Sequence, residues 1–343
     1  MGGDGGHRPV VIVGPTASGK SALALELVRR ARPRPDIAGP TELVSVDSMQ
    51  VYRGMDIGTA KPSAAEQAEV RHHLIDLVEP AERFTVVDYA TAFEAAMADI
   101  AGRDAVPLLV GGTGLYLRAV IDGLTPPPEF TDIAAELEAE AAAVSDAAAA
   151  HDGGGVDGCT ADVAAARQAA DGGACGAVVL HQRLAELDPL AASRMEPTNL
   201  RRIVRALSVC LGSGRPFSSF GPGLQSYPEV PFRIVGIDPG RAALDELIGD
   251  RYRRQMELGM LEEVRRLAAR PLSRTAAQAL GYKELRAHLA GECTLDEVLN
   301  VAIARTRRFA RRQQRWFARD PRITWISHGS PAEMADQMEQ LES

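Results

Sequence analysis

The chain has 343 residues, of which 45% are hydrophobic and 24% charged, an ordinary balance for a protein with one large buried core or two modest ones. No apolar run approaches the length of a membrane span. The net charge of −8 argues against a uniformly basic nucleic-acid binder and directs attention to local charge.

Met1–His7 is polar and Gly-rich with no apolar signal core, and Gly6 stands where a myristoylation motif wants Ser or Thr. A cytoplasmic protein is expected. Pro9 to Val13 is a short β-branched run ending at Gly14, and a helical pattern starts near Lys20. A second apolar run, Leu43 to Val46, ends at Asp47. Ala90 to Ile100 has helical patterning, and Val106 to Val110 is a third run ending at Gly111-Gly112-Thr113. A fourth run, Phe232 to Ile237, ends at Asp238-Pro239. Strands alternating with helices predict an α/β fold with a parallel sheet.

Pro126-Pro127-Pro128 interrupts this alternation. Ala134 to Ala150 is Ala- and Glu-rich and favours helix. Asp152 to Gly176 has almost no large apolar residues, and helical patterning resumes near Leu180. The expected organisation is a discontinuous core, 8–124 with 228–328, and a mainly helical insertion, 125–227. The Ala/Gly-rich stretch at about 148–176 is its flexible middle.

Two C-terminal helices are marked. Leu244, Ile248, Tyr252, Met256, Met260 and Val264 recur every four residues as one apolar seam. Leu299, Ile303, Thr306, Phe309, Ala310, Gln313 and Trp316 form a mostly apolar stripe on the second. Arg305, Arg307, Arg308, Arg311, Arg312 and Arg315 fall largely off that stripe, with almost no acid nearby in sequence. A solvated helix face is one explanation; contact with nucleic-acid phosphates is the favoured one. Cys159, Cys175, Cys210 and Cys293 are scattered without metal-ligand spacing, so free thiols are expected.

The strongest motif is Gly14-Pro15-Thr16-Ala17-Ser18-Gly19-Lys20-Ser21, a full match to the P-loop pattern between a strand and a helix. Backbone N–H groups of such a loop and the helix N-terminus face phosphate oxygens. Lys20 neutralises charge on the phosphates, and Ser21 can hold Mg²⁺. The loop serves a nucleotide tail, as in an ATP-binding enzyme, or a diphosphate leaving group equally well. The third strand ends in glycines and Thr113, not in the Asp or Glu usual in hydrolytic P-loop enzymes. Asp47, at the end of the second run, fits a general base, a Mg²⁺ ligand and a cap for the next turn equally well. Arg251 lies one position off the apolar seam, where a surface salt bridge is the ordinary expectation. From these residues a metabolite kinase, a prenyltransferase using free AMP and a non-catalytic RNA binder remain alternatives.

Further motifs follow in order. They are Val46-Asp47-Ser48-Met49-Gln50-Val51-Tyr52, Met55 to Pro62, His72 to Asp76 and Gly111 to Tyr116. Arg201-Arg202-Ile203-Val204-Arg205-Ala206-Leu207, Gly281-Tyr282-Lys283-Glu284 and the Arg-rich helix to Trp316 complete them. Together with the P-loop this series resembles the bacterial tRNA dimethylallyltransferases from residue 10 to about 317, interrupted at roughly 145–178. The resemblance implies a P-loop NTPase-like core with a helical tRNA-binding insertion, Mg²⁺ as cofactor, and dimethylallyl diphosphate and the tRNA anticodon loop as partners. It implies transfer of the dimethylallyl group to N6 of adenine 37 with release of diphosphate. By resemblance, Asp47 is the general base, Thr113 lies near the reacting centre and Arg251 meets the leaving diphosphate. Gly14 and Thr16 to Ser21 form the diphosphate cradle. Ser48, Met49, Gln50, Arg201, Arg202, Arg205, Gln278, Gly281, Tyr282 and Lys283 fall in stretches that contact tRNA, joined by Arg308 and Arg312 of the basic helix. The Ala/Gly-rich stretch departs from the family pattern. A monomer is the default expectation.

Overall fold

The computed structural model describes residues 8–31, 39–124, 126–150, 175–221, 223 and 226–341. The chain divides into two units, Met1–Leu124 with Tyr227–Ser343, and Thr125–Ser226. The first unit begins β1 (Val10–Val13), α1 (Lys20–Arg30), β2 (Thr41–Val46), α2 (Ala64–Glu69), β3 (His72–His73), α3 (Val86–Ala101), β4 (Val106–Gly111) and α4 (Gly114–Ile121). The second unit holds α5 (Thr131–Ala150), α6 (Cys175–Leu187), α7 (Pro189–Ala192) and α8 (Leu200–Ser213). The chain then returns through β5 (Arg233–Asp238), α9 (Arg241–Glu257), α10 (Met260–Ala268), α11 (Tyr282–Leu289), α12 (Leu295–Phe317), β6 (Ile323–Ser327) and α13 (Pro331–Gln340).

The six strands form one parallel sheet in the order β3-β2-β4-β1-β5-β6. Central β1 is all β-branched, which suits a pleated strand packed on both faces. Val11 and Val13 join the core on one face with Tyr89, Phe93 and Leu117. Ile12 joins the other with Leu23, Leu25, Met334 and Met338. Helices therefore cover both faces, and only the strand ends are left to build a site. At the carboxyl ends lie Gly14 after β1, Asp47 after β2, Gly112 after β4 and Asp238 at the end of β5.

Several expectations change. Among the described residues the sheet has six strands, two more than the four apolar runs predict. β3 is two residues long and has no room for a period, and β6 is an edge strand in which only Ile323 and Ile326 are buried. The core continues past residue 328, because α13 packs Met334, Ala335 and Met338 onto α1. A Ser330–Glu333 capping box starts that helix. The seam from Leu244 to Val264 is not one helix. Gly259, at φ 96°, turns the chain left-handed between α9 and α10. On α12 the buried positions are Val298, Ala302, Thr306, Ala310, Gln313 and Phe317, so Leu299, Ile303, Phe309 and Trp316 flank the stripe instead of forming it.

In the second unit, α5, α6 and α8 enclose Leu137, Ala141, Leu180, Leu184, Ile203 and Leu207. Helix α6 already includes Cys175, ahead of the patterning at Leu180. The stretch read as flexible lies, from 151 to 174, outside the described residues, as does Met1–His7. Among the described residues no helix is long and apolar enough to cross a membrane, and Cys175, Cys210 and Cys293 are free thiols. Leu207 is fully buried. Leu207→Ala is expected to lower the unfolding free energy of the helical unit by about 2–5 kcal/mol, as transfer and cavity costs add. Chemical denaturation of both proteins checks this.

Candidate active site

The P-loop runs from β1 into α1 with Ala17 and Gly19 both at positive φ, 65° and 83°. Lys20 Nζ donates to the Pro15 carbonyl at 2.6 Å, folding the ammonium back over its own loop. Ser18 is wholly buried and its Oγ has no hydrogen-bond partner among the described residues. A buried hydroxyl without a partner is costly, so an acceptor such as a phosphate oxygen would relieve it.

Asp47 follows β2 directly. Its Oδ1 accepts from the Met49 N–H at 2.8 Å and the Gln50 N–H at 3.4 Å, so the carboxylate does cap the next turn. Both bonds use one oxygen, which leaves Oδ2 for another partner. Thr113 Oγ1 accepts from the Ser48 N–H at 3.1 Å, tying the loop after β4 to that turn. Tyr89 and Tyr116 stack below with ring centroids 4.4 Å apart, and the Tyr89 hydroxyl donates to Ser45 O at 2.8 Å.

Arg251 makes no salt bridge among the described residues, contrary to the ordinary expectation for its position. Protein atoms surround its guanidinium, and Nη2 donates to the Gly58 carbonyl at 3.1 Å. Burial lowers its pKa, with Tyr252, Asp47 and Tyr282 opposing. Burial also lowers Lys20, to about 7; Asp47 raises it and Arg251 lowers it further. Lys20, Asp47 and Arg251 thus share one electrostatic neighbourhood, although they are far apart in sequence. With Arg251 and a Lys20 that can take up a proton beside one carboxylate, the neighbourhood suits an anionic ligand.

The turn presenting Gly58 is held from below. Glu263, 1% exposed, accepts from the N–H groups of Asp56, Ile57 and Gly58 and from the Tyr282 hydroxyl at 2.5 Å. Gln255 donates to the Ile57 and Gly58 carbonyls. Neither residue was singled out in the sequence. The only available signal was polar residues close to an apolar seam.

The residues expected to meet tRNA divide. Arg201, Arg202, Gln278, Lys283, Arg308 and Arg312 are exposed, and Ser48 and Met49 are half-buried. Gly281 and Tyr282 are buried, and the Tyr282 hydroxyl is committed to Glu263, so its side chain supports the core and does not face a partner. The Gln50 side chain is bound to Ser45, Thr59 and Ala60. Arg205 donates to the Pro127 and Pro128 carbonyls. The basic stripe on α12 also splits. Glu284 of α11 pairs with Arg305, and Asp245 of α9 pairs with Arg307 and Arg311. Acids from other helices therefore neutralise three cations that looked unpaired in sequence.

Residues 50–320 match the family model described as IPP transferase. A protein of Geobacter metallireducens named tRNA dimethylallyltransferase is 42% identical over 326 residues, 94% of this chain and 93% of its own length. A tRNA dimethylallyltransferase of Thermobifida fusca is 40% identical over 325 residues, covering 94% and 90%. The structure of the full-length tRNA isopentenylpyrophosphate transferase of Bacillus halodurans matches with a TM-score of 0.58 at 32% identity, over 98% of this chain and 99% of that one. That of the tRNA delta(2)-isopentenylpyrophosphate transferase of Staphylococcus epidermidis matches with a TM-score of 0.61 at 27% identity, over 97% and 99%. With the family model spanning most of its length and relatives of about 40% identity spanning nearly all of it, this chain belongs to the IPP transferase family.

Proposed function

We propose that this protein transfers the dimethylallyl group of dimethylallyl diphosphate to N6 of adenine 37 in the tRNA anticodon loop, releasing diphosphate. One observation carries the reading: Asp47, after β2, and Arg251, on α9, both act electrostatically on Lys20 at the end of the P-loop. The adenine amine is a weak nucleophile, because its lone pair is delocalised into the ring. Reaction therefore depends on making the allylic carbon electrophilic by drawing charge onto the diphosphate oxygens.

The P-loop amides, the Lys20 ammonium and the Arg251 guanidinium stabilise that growing charge, and loss of one such partner typically costs on the order of 10²–10³-fold in rate. Asp47 Oδ2 accepts the amine proton as the C–N bond forms. Bonds to the Met49 and Gln50 amides hold Oδ1 and so aim the carboxylate. The hard oxygen donors here, Ser21 and Asp47, are too few for a closed metal cage. They suit Mg²⁺, which keeps waters and shares substrate oxygens, and Ser21 would hold it. Bound there, the ion would supply further positive charge to the diphosphate.

The target base has to leave its stack to reach an enclosed site, which is least costly in a single-stranded loop. Arg201 and Arg202 occupy the first turn of α8, where a cation opposes the helix dipole, and no acid pairs with them among the described residues. A phosphate partner would offset that penalty. Arg308 and Arg312 are exposed on α12, also without acidic partners among the described residues. These four residues are the proposed backbone contacts.

Labelled dimethylallyl diphosphate incubated with tRNA or with AMP, alongside an ATP turnover assay, tests the reading. Label on tRNA alone is expected. A phosphoryl group moved from ATP to a metabolite, with tRNA unlabelled, would overturn it in favour of a kinase. Asp47→Ala should reduce transfer by about 10²–10⁴-fold and leave tRNA binding near wild type. Charge reversal at Arg308 and Arg312 should weaken tRNA binding and flatten its dependence on salt, as read by titration from low to high ionic strength.

Lys20 also gives a pH signature. With its pKa lowered to about 7, it is mostly neutral at pH 8 in the free enzyme. A bound diphosphate favours the ammonium, so binding at pH 8 should take up a proton. At pH 6 the ammonium is already present and the uptake should vanish. Calorimetry in buffers of different ionisation enthalpy, comparing wild type with Lys20→Met, isolates this contribution.

A further inference from the structure

The buried stripe of α12 is small or apolar except at Thr306 and Gln313. Gln313 is 8% exposed and bonded through both its amide oxygen and its amide nitrogen. Its Oε1 accepts from the Thr16 N–H at 2.8 Å, and its Nε2 donates to the Gly112 carbonyl at 2.8 Å. An apolar side chain of the same shape would fill this space without desolvating an amide. The amide instead joins two particular backbones.

Those backbones belong to neighbouring strands. β1 and β4 pair up to Val13 and Gly111, and there the ladder ends. Beyond it one chain becomes the P-loop and the other the Gly112–Thr113 loop. Gln313 bridges them just where backbone pairing stops, offering an acceptor to one and a donor to the other as a third strand would. The fit is close. A Cβ on Gly112 would stand 2.5 Å from Gln313 Nε2, and a Cβ on Gly114 would stand 2.0 Å from Trp316 Nε1. Both glycines are needed to admit α12 side chains. The Thr16 amide, moreover, is spent on Gln313, so it is not among the P-loop amides left for a phosphate.

From the Gly112 loop the connection continues. Thr113 Oγ1 accepts from the Ser48 N–H, and Ser48 is next to Asp47. A short chain of bonds thus links the diphosphate loop to the carboxylate turn through two side chains, Gln313 and Thr113. We infer that Gln313 is a positioning residue for the transfer: without touching substrate, it sets the separation between the leaving-group cradle and the Asp47 turn. This rests on the prenyl-transfer reading above.

Gln313→Met keeps the length and removes both bonds. Gln313→Glu keeps an acceptor for Thr16 and sets an oxygen against the Gly112 carbonyl. Single-turnover transfer at saturating dimethylallyl diphosphate and tRNA should fall about 10- to 100-fold in both variants, since a small misplacement of reacting groups costs that much. KM for each substrate should stay within about three-fold, because no substrate contact is lost. Exchange of the Thr16 amide hydrogen should be slow in wild type and in Gln313→Glu, and at least about ten-fold faster in Gln313→Met. Wild-type transfer rates in Gln313→Met, a rise in KM with kcat unchanged, or unaltered Thr16 exchange in Gln313→Met would each overturn the inference. If wild type itself leaves tRNA unlabelled, it is the prenyl-transfer reading that falls, and the exchange experiment still reports whether the bridge exists.

Discussion

A lysine and an arginine buried in one neighbourhood, with one carboxylate to offset them, are the constraint on which this site depends. Lys20 and Arg251 repel, and burial disfavours both charges. Such a pair persists only where the surroundings hold it. The P-loop carbonyl of Pro15 receives the ammonium, and the Gly58 carbonyl receives the guanidinium. Glu263 and Gln255 fix the turn that presents Gly58. In the proposed transfer, positive charge assembled in advance in this way is complementary to a leaving group whose charge grows during reaction.

The parallel sheet turns this local need into geometry. Every strand points its carboxyl end the same way, so three loops arrive side by side, after β1, β2 and β4. Arg251 comes from α9, after the chain has left for the helical unit and returned. The site is therefore discontinuous in sequence, built from short loops held at the ends of one sheet and from helix α9.

What was legible in the sequence follows the same division. The P-loop, Asp47 and the main strands were visible because each is a local pattern: a glycine spacing, a carboxylate ending an apolar run, a β-branched period. β3 was too short to show a period, and Gly259 broke a seam whose spacing continued across the turn. Gln313 lay in plain view on the α12 stripe, but its two partners are Thr16 and Gly112, a pairing no local pattern could reveal. The arginines of α12 misled for the same reason. Their acids, Asp245 and Glu284, sit on helices that only tertiary packing brings close.

That pairing gives the basic helix a division of labour. Arg305, Arg307 and Arg311 act as anchors, seated against carboxylates of the helices beside them. Arg308 and Arg312 are handles, exposed at the surface. If both handles grip phosphates, they release about one to two counterions between them. Raising ionic strength would then loosen the hold on RNA, while the packed stripe of Ala302, Ala310 and Phe317, which is indifferent to salt, keeps the helix in its seat.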